Sequence, residues 1–98
     1  MEVVYISLPI TGKDLEVVKA RAEELKAQFT ELGYKAVTPF DLSDNNVKTY
    51  GTYMGDDIRF IIDKADVVYL DNGFKSSQGC MLEYCTAKIY HKKRIYGN

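Results

Sequence analysis

Apolar residues fall along this chain in two alternating rhythms, and the alternation predicts an α/β fold. Val3-Val4-Tyr5-Ile6 is a β-branched and aromatic run closed by Ser7-Leu8-Pro9, which predicts a buried strand running into a loop. From Asp14 to Leu32 the rhythm changes. Leu15, Val18, Ala22, Leu25, Phe29 and Leu32 recur at steps of three and four, so they share one face of an amphipathic helix, and Gly33 supplies its C-terminal cap. Tyr34 to Thr38 is a second strand, stopped by Pro39, which has no N–H for a sheet ladder. The polar connection from Phe40 to Thr52 is long for a small domain and is expected to border a site. Tyr53 to Lys64 returns to helical spacing through Met54, Ile58, Ile61 and Ile62, with Asp56 and Asp57 in its first turn, where carboxylates suit the helix dipole. Asp66 to Leu70 is the third strand, Asp71-Asn72-Gly73 a turn, and Arg94-Ile95-Tyr96 the fourth strand.

Strands alternating with helices in this way imply crossover connections and a parallel sheet of about four strands, covered by helices on both faces. A three-layer arrangement with a switch point between the first and third strands gives the order 2-1-3-4. Ligand-binding loops then lie at the carboxyl ends of the strands, where Ser7 to Gly12, the stretch after Pro39 and Asp71 to Gly79 all fall.

The stretch Ser76 to Glu83 is the one most suited to chemistry. From Gly79 to Tyr90 the chain is apolar nearly all round, with Glu83, Thr86 and Lys88 as the polar interruptions, so the helix is expected to be largely buried. Glu83 has no Lys or Arg three or four residues on, and a buried carboxylate needs a partner or a raised pKa. It stands one turn above Gly79, whose missing side chain predicts an open space for a small polar ligand. Cys80 and Cys85 point in different directions on this helix and suit neither a disulfide nor a metal pair; both are expected to act as small buried hydrophobes. The single histidine, His91, lacks companion ligands and an orienting acid, so no metal or other cofactor is expected. The run His91-Lys92-Lys93-Arg94 reads as a solvated helix end.

Composition narrows the partners. The 98 residues make one domain, 1–98, without linkers, and a formal net charge of -1 argues against nucleic acid or an anionic membrane as the main partner. No apolar run is long enough to span a membrane and Met1 to Ile10 is not a secretory signal, so a cytoplasmic location is expected. Gly12-Lys13 superficially suggests a P-loop, but that motif requires glycine where Ser7 stands and a hydroxyl where Asp14 stands. No GxGxxG follows a strand, and Ser7-Leu8-Pro9 occupies the place where a phospho-accepting receiver carries its acids.

One combination does match a known pattern: Tyr5-Ile6-Ser7-Leu8-Pro9-Ile10-Thr11-Gly12 at the start, Tyr53-Met54 with Asp57, Ala65-Asp66-Val67-Val68-Tyr69, and Ser77-Gln78-Gly79 with Glu83. In this order, along nearly the whole chain, it resembles the nucleoside 2-deoxyribosyltransferase superfamily, most closely its small members that open with YISGPITG. The resemblance implies a flavodoxin-like three-layer domain and a cofactor-free N-glycosidase or deoxyribosyltransferase acting on a nucleoside or nucleotide, in a homo-oligomer. Glu83 would attack the anomeric carbon of the sugar, Tyr5 would orient it and Asp57 would assist departure of the base. Ser7, Pro9, Phe74, Ser77 and Gly79 would contact the substrate, with Ser77 and the amides around Gly79 at the sugar's 5'-hydroxyl or 5'-phosphate. Each residue also has a structural reading: Tyr5 as a core aromatic, Asp57 as a helix-capping acid, Ser77 as an N-cap, Phe74 as packing beneath a loop. Two other functions fit the same residues. A non-catalytic nucleotide-binding module is the alternative, motivated by Leu8 where the family opening usually has glycine, and the eight tyrosines also fit an assembly domain.

Overall fold

The computed structural model describes residues 1–42 and 49–97. The polar connection expected after Pro39 therefore falls partly outside the described residues, from Ser43 to Lys48. Strand β1 (Val3–Ser7) leads through a loop into helix α1 (Leu15–Glu31), followed by β2 (Lys35–Val37) and a short helix α2 (Pro39–Leu42). Helix α3 (Tyr50–Asp63), β3 (Val67–Leu70), a 3-10 turn (Phe74–Ser76), α4 (Gln78–Ile89) and β4 (Lys93–Tyr96) complete the chain. The four strands form one parallel sheet in the order β2-β1-β3-β4, as the sequence pattern predicts, in a flavodoxin-like α/β arrangement.

Alternation along the strands divides the core into two layers. Val4, Ile6 and Leu8 turn toward α1 and pack with Val18, Ala22, Leu25, Phe29, Val67 and Tyr69. Tyr5, Val68 and Leu70 turn the other way and pack with Ile61 and Ala65 at the end of α3, and with Phe74, Cys80 and Ala87. Leu8 therefore places its side chain beneath α1, on the sheet face opposite Tyr5. Leu15 and Leu32, at the two ends of the predicted stripe, are exposed.

Helix ends follow local chemistry. The Asp14 side chain accepts from the Glu16 and Val17 amides to cap α1. At the other end Gly33 is left-handed, the Tyr34 N–H donates to Phe29 O and the Gly33 N–H to Thr30 O, and the Phe29 and Tyr34 rings meet edge to face. Helix α3 begins three residues before the predicted start, because Thr49 caps it by accepting from the Thr52 amide. Asp56 and Asp57 thus stand beyond the first turn, and Asp56 pairs with Arg59 at 3.3 Å instead of capping. The basic run is not a helix end either, since Lys93 and Arg94 begin β4, where charge suits an edge strand.

Helix α4 closes with the same hydrogen bonds as α1, Lys92 N–H to Ala87 O and His91 N–H to Lys88 O, but its left-handed residue is His91, at φ 56°. That conformation strains any side chain with a Cβ. His91→Gly is expected to raise Tm by about 4 °C, a gain of roughly 0.5 to 1 kcal/mol that a thermal melt would detect.

Contrary to the sequence expectation, α4 is not buried all round. Cys80, Glu83 and Ala87 face inward, while Leu82, Cys85 and Ile89 are exposed, so Cys85 is a surface thiol. No helix among the described residues is long and apolar enough to cross a membrane.

Candidate active site

Tyr5 and Ser7 are two apart on β1 and so project from the same sheet face, at the carboxyl end of the central strand pair. Both are fully buried, and both end on one carboxylate: the Tyr5 hydroxyl donates to Glu83 Oε2 at 2.8 Å and the Ser7 hydroxyl donates to Glu83 Oε1 at 2.7 Å. Glu83, in the second turn of α4, is 4% exposed. Asp57, from α3, is also buried, and it lies close enough to Glu83 and the Tyr5 hydroxyl for each to affect the other's ionisation. The sheet and both helices on this face thus each contribute to one acid pair.

The electrostatics follow from that crowding. Burial first, and then the Asp57 charge, push Glu83 up to about 8 against the opposing hydrogen bonds from Ser7 and Tyr5. Burial raises Asp57 to about 6 although Glu83 and Tyr5 pull it down. Two carboxyls this close cannot both ionise cheaply, so the pair holds one proton across the neutral range. Burial and the same two acids hold the Tyr5 hydroxyl well above the usual tyrosine range, so it remains a donor.

Ser77 caps α4, its hydroxyl accepting from the Cys80 amide at 3.2 Å. The Cys80 thiol is buried near the hydroxyls of Ser7 and Ser77, and burial raises it, which makes it inert. Cys80 precedes Glu83 by three residues and so shares its face, a relation that the reading of Cys80 as a simple hydrophobe passed over.

The other expected site residues are spread more widely. The space at Gly79 is not open: a Cβ there would meet the Tyr50 hydroxyl at 3.2 Å and the Met54 sulfur at 3.4 Å. The missing side chain admits α3 rather than a ligand. Pro9 is half-buried beside Gly73 of the loop after β3. Phe74 is buried with its ring against Tyr84 and Tyr96, both at 5.8 Å between centroids.

Beneath α1, Asp71 at the end of β3 accepts two bonds from Arg21, at 3.2 and 3.0 Å, and one from the Tyr69 hydroxyl at 2.9 Å. Burial would raise the Asp71 carboxyl, but these donors hold it below the ordinary range. This network lies on the sheet face away from Glu83 and fixes the start of the loop that leads to Ser77. Nothing in local periodicity pairs Arg21 with a residue fifty positions away.

Among the described residues, no group of three or more His, Cys, Asp or Glu side chains could hold a metal ion. What the site can do is acid–base and nucleophilic chemistry by a paired, oriented carboxylate. A comparison with curated proteins gives no match. A family model described as a domain of unknown function, DUF4406, covers residues 2–96 and so takes in every side chain of the site. The Tyr5, Ser7, Asp57 and Glu83 constellation is therefore set within a chain that belongs to the DUF4406 family.

Proposed function

We propose that this chain is an N-glycosidase or deoxyribosyltransferase of the nucleoside 2-deoxyribosyltransferase type. The observation that carries the reading is Glu83, a buried carboxylate held by the Tyr5 and Ser7 hydroxyls with Asp57 against it. Hydroxyl donors on both oxygens fix the carboxylate's plane, and each oxygen keeps a second lone pair. In the first step the pair's single proton passes from Glu83 to Asp57, and the freed Glu83 oxygen bonds to the anomeric carbon of a deoxyribosyl group as the bond from that carbon to the base nitrogen breaks. The base takes its proton from Asp57 as it leaves. Asp57 then removes a proton from water, or from a second base, as that acceptor displaces Glu83 from the sugar. The Ser77 hydroxyl and the first amides of α4 suit the sugar's 5'-hydroxyl or 5'-phosphate.

Homo-oligomerisation goes with this reading, and the exposed Leu82, Cys85 and Ile89 stripe is a surface through which copies would associate. The substrate is a nucleoside or nucleotide, and the site needs no cofactor for this chemistry.

The test is incubation with a panel of deoxynucleosides and their monophosphates, with free base followed by chromatography. Release that is lost in Glu83→Ala supports the reading; no release from any substrate, or equal release by the variant, removes it.

A nucleotide-binding module without turnover is the second reading. The filling of the Gly79 space by Tyr50 and Met54 favours it, because it narrows the approach to Glu83. The Leu8 side chain does not, since it packs beneath α1. Calorimetric titration followed by recovery of the ligand separates the two: saturable heat with intact ligand marks a binder.

A further inference from the structure

A cleft of about 760 Å³ opens on the side of α4 turned away from the acid pair. At 100° per residue, Tyr84 lies a quarter-turn beyond Glu83 and Met81 nearly opposite it, and both line this cleft. The loop after β3 contributes Phe74 and Lys75, and the end of β4 contributes Tyr96 and Gly97. Phe74 is buried as the floor, with its ring tilted 45° to Tyr84 and 35° to Tyr96.

Two features distinguish this wall from ordinary core. Tyr96 is 51% exposed at the end of an edge strand, an apolar ring left in water where a polar residue would cost nothing. The backbone beside it is also bare. A Cβ on Gly97 would collide with the Tyr69 hydroxyl, which Asp71 holds in place, so the position is kept for glycine and its bare backbone lines the cleft.

We infer that the Phe74, Tyr84 and Tyr96 cleft binds a planar aromatic carboxylic acid, its ring against the tyrosine faces and its carboxylate at Lys75. The rings offer broad π-faces to a flat ligand. Lys75 is the one charged residue lining the cleft, and no arginine joins it among the described lining. A lone ammonium is a point charge that matches a monoanion, whereas a phosphate is better met by the forked donors of arginine. This site is independent of the glycosyl chemistry proposed for Glu83.

The test is titration of the ¹⁵N-labelled full chain with indole-3-acetate, and with indole as the uncharged control. Saturable amide shifts are expected at Gly73, Lys75 and Gly97. Tyr96→Ala should weaken binding of indole-3-acetate by about tenfold, the loss of one stacking face. Lys75→Ala should weaken indole-3-acetate and leave indole unchanged, and Glu83→Gln should alter neither. The inference is overturned by shifts that do not saturate below about 10 mM, by shifts centred on Ser7 and Ser77, or by binding that survives both cleft substitutions unchanged.

Discussion

Glu83→Gln is expected to abolish base release, by at least about 10³-fold in kcat, while making the protein more stable in alkaline solution. The two effects have one origin. Glutamine keeps the shape and accepts the Tyr5 or Ser7 hydroxyl, but it cannot ionise or attack a carbon. In the parent, Glu83 binds its proton far more tightly when folded, at about 8, than at the ordinary value of 4.5. The stability due to that proton is complete in acid and is lost as pH rises through about 8. Between pH 5 and pH 9 the parent should lose about 4 kcal/mol, or roughly 15 to 30 °C in Tm. Glu83→Gln should be nearly flat above pH 7. Melts at a series of pH values read the buried-carboxyl geometry directly, whatever the substrate. A parent Tm that does not fall with pH would show that Glu83 is ionised at little cost.

Asp57→Asn is expected to lower kcat/KM for an ordinary deoxynucleoside by about 10² to 10³-fold, the usual contribution of a positioned general acid. For 7-methyl-2'-deoxyguanosine, whose base departs as a neutral molecule without taking a proton, the loss should stay within about fivefold. An equal loss on both substrates would move Asp57 from proton donor to a structural role. The parent's profile should be a bell with limbs near the values of the pair, about 6 and about 8, because one proton must remain on the two carboxyls. The variant should lose the upper limb, where the proton needed by the leaving base is titrated away.

Much of this arrangement is legible in the sequence for a simple reason. Parallel strands buried on both faces appear as unbroken apolar runs, and the steps of three and four in α1 admit only a helix. Order 2-1-3-4 follows once the elements alternate. The site is legible in another way: Tyr5 and Glu83 are 78 residues apart, and periodicity alone does not say which helix meets which strand. It was the motif resemblance that joined them. The acid pair's setting was harder still. Gly79 reads as a gap when the helix is considered alone, yet α3 fills it, and the start of α3 depends on a Thr49 cap that its apolar spacing does not mark. The exposed Leu82, Cys85 and Ile89 stripe is hidden in the sequence because a helix apolar on every side does not mark which of its sides is covered. Packed on the sheet and beside α3, α4 turns only its inner faces to them.

The pairing of the Asp57 and Glu83 carboxyls bears on stereochemistry as well. Enzymes that invert a glycosidic centre hold their carboxyls about 6.5 to 9.5 Å apart, with a water between sugar and base. In the proposed double displacement Glu83 itself bonds to the sugar, so no such water is needed. In that proposed reaction the acceptor enters from the face the base has left, and the sugar's configuration is expected to be inverted twice. With methanol as acceptor, a β-deoxynucleoside should yield the β-methyl deoxyriboside, which proton NMR distinguishes from its α anomer.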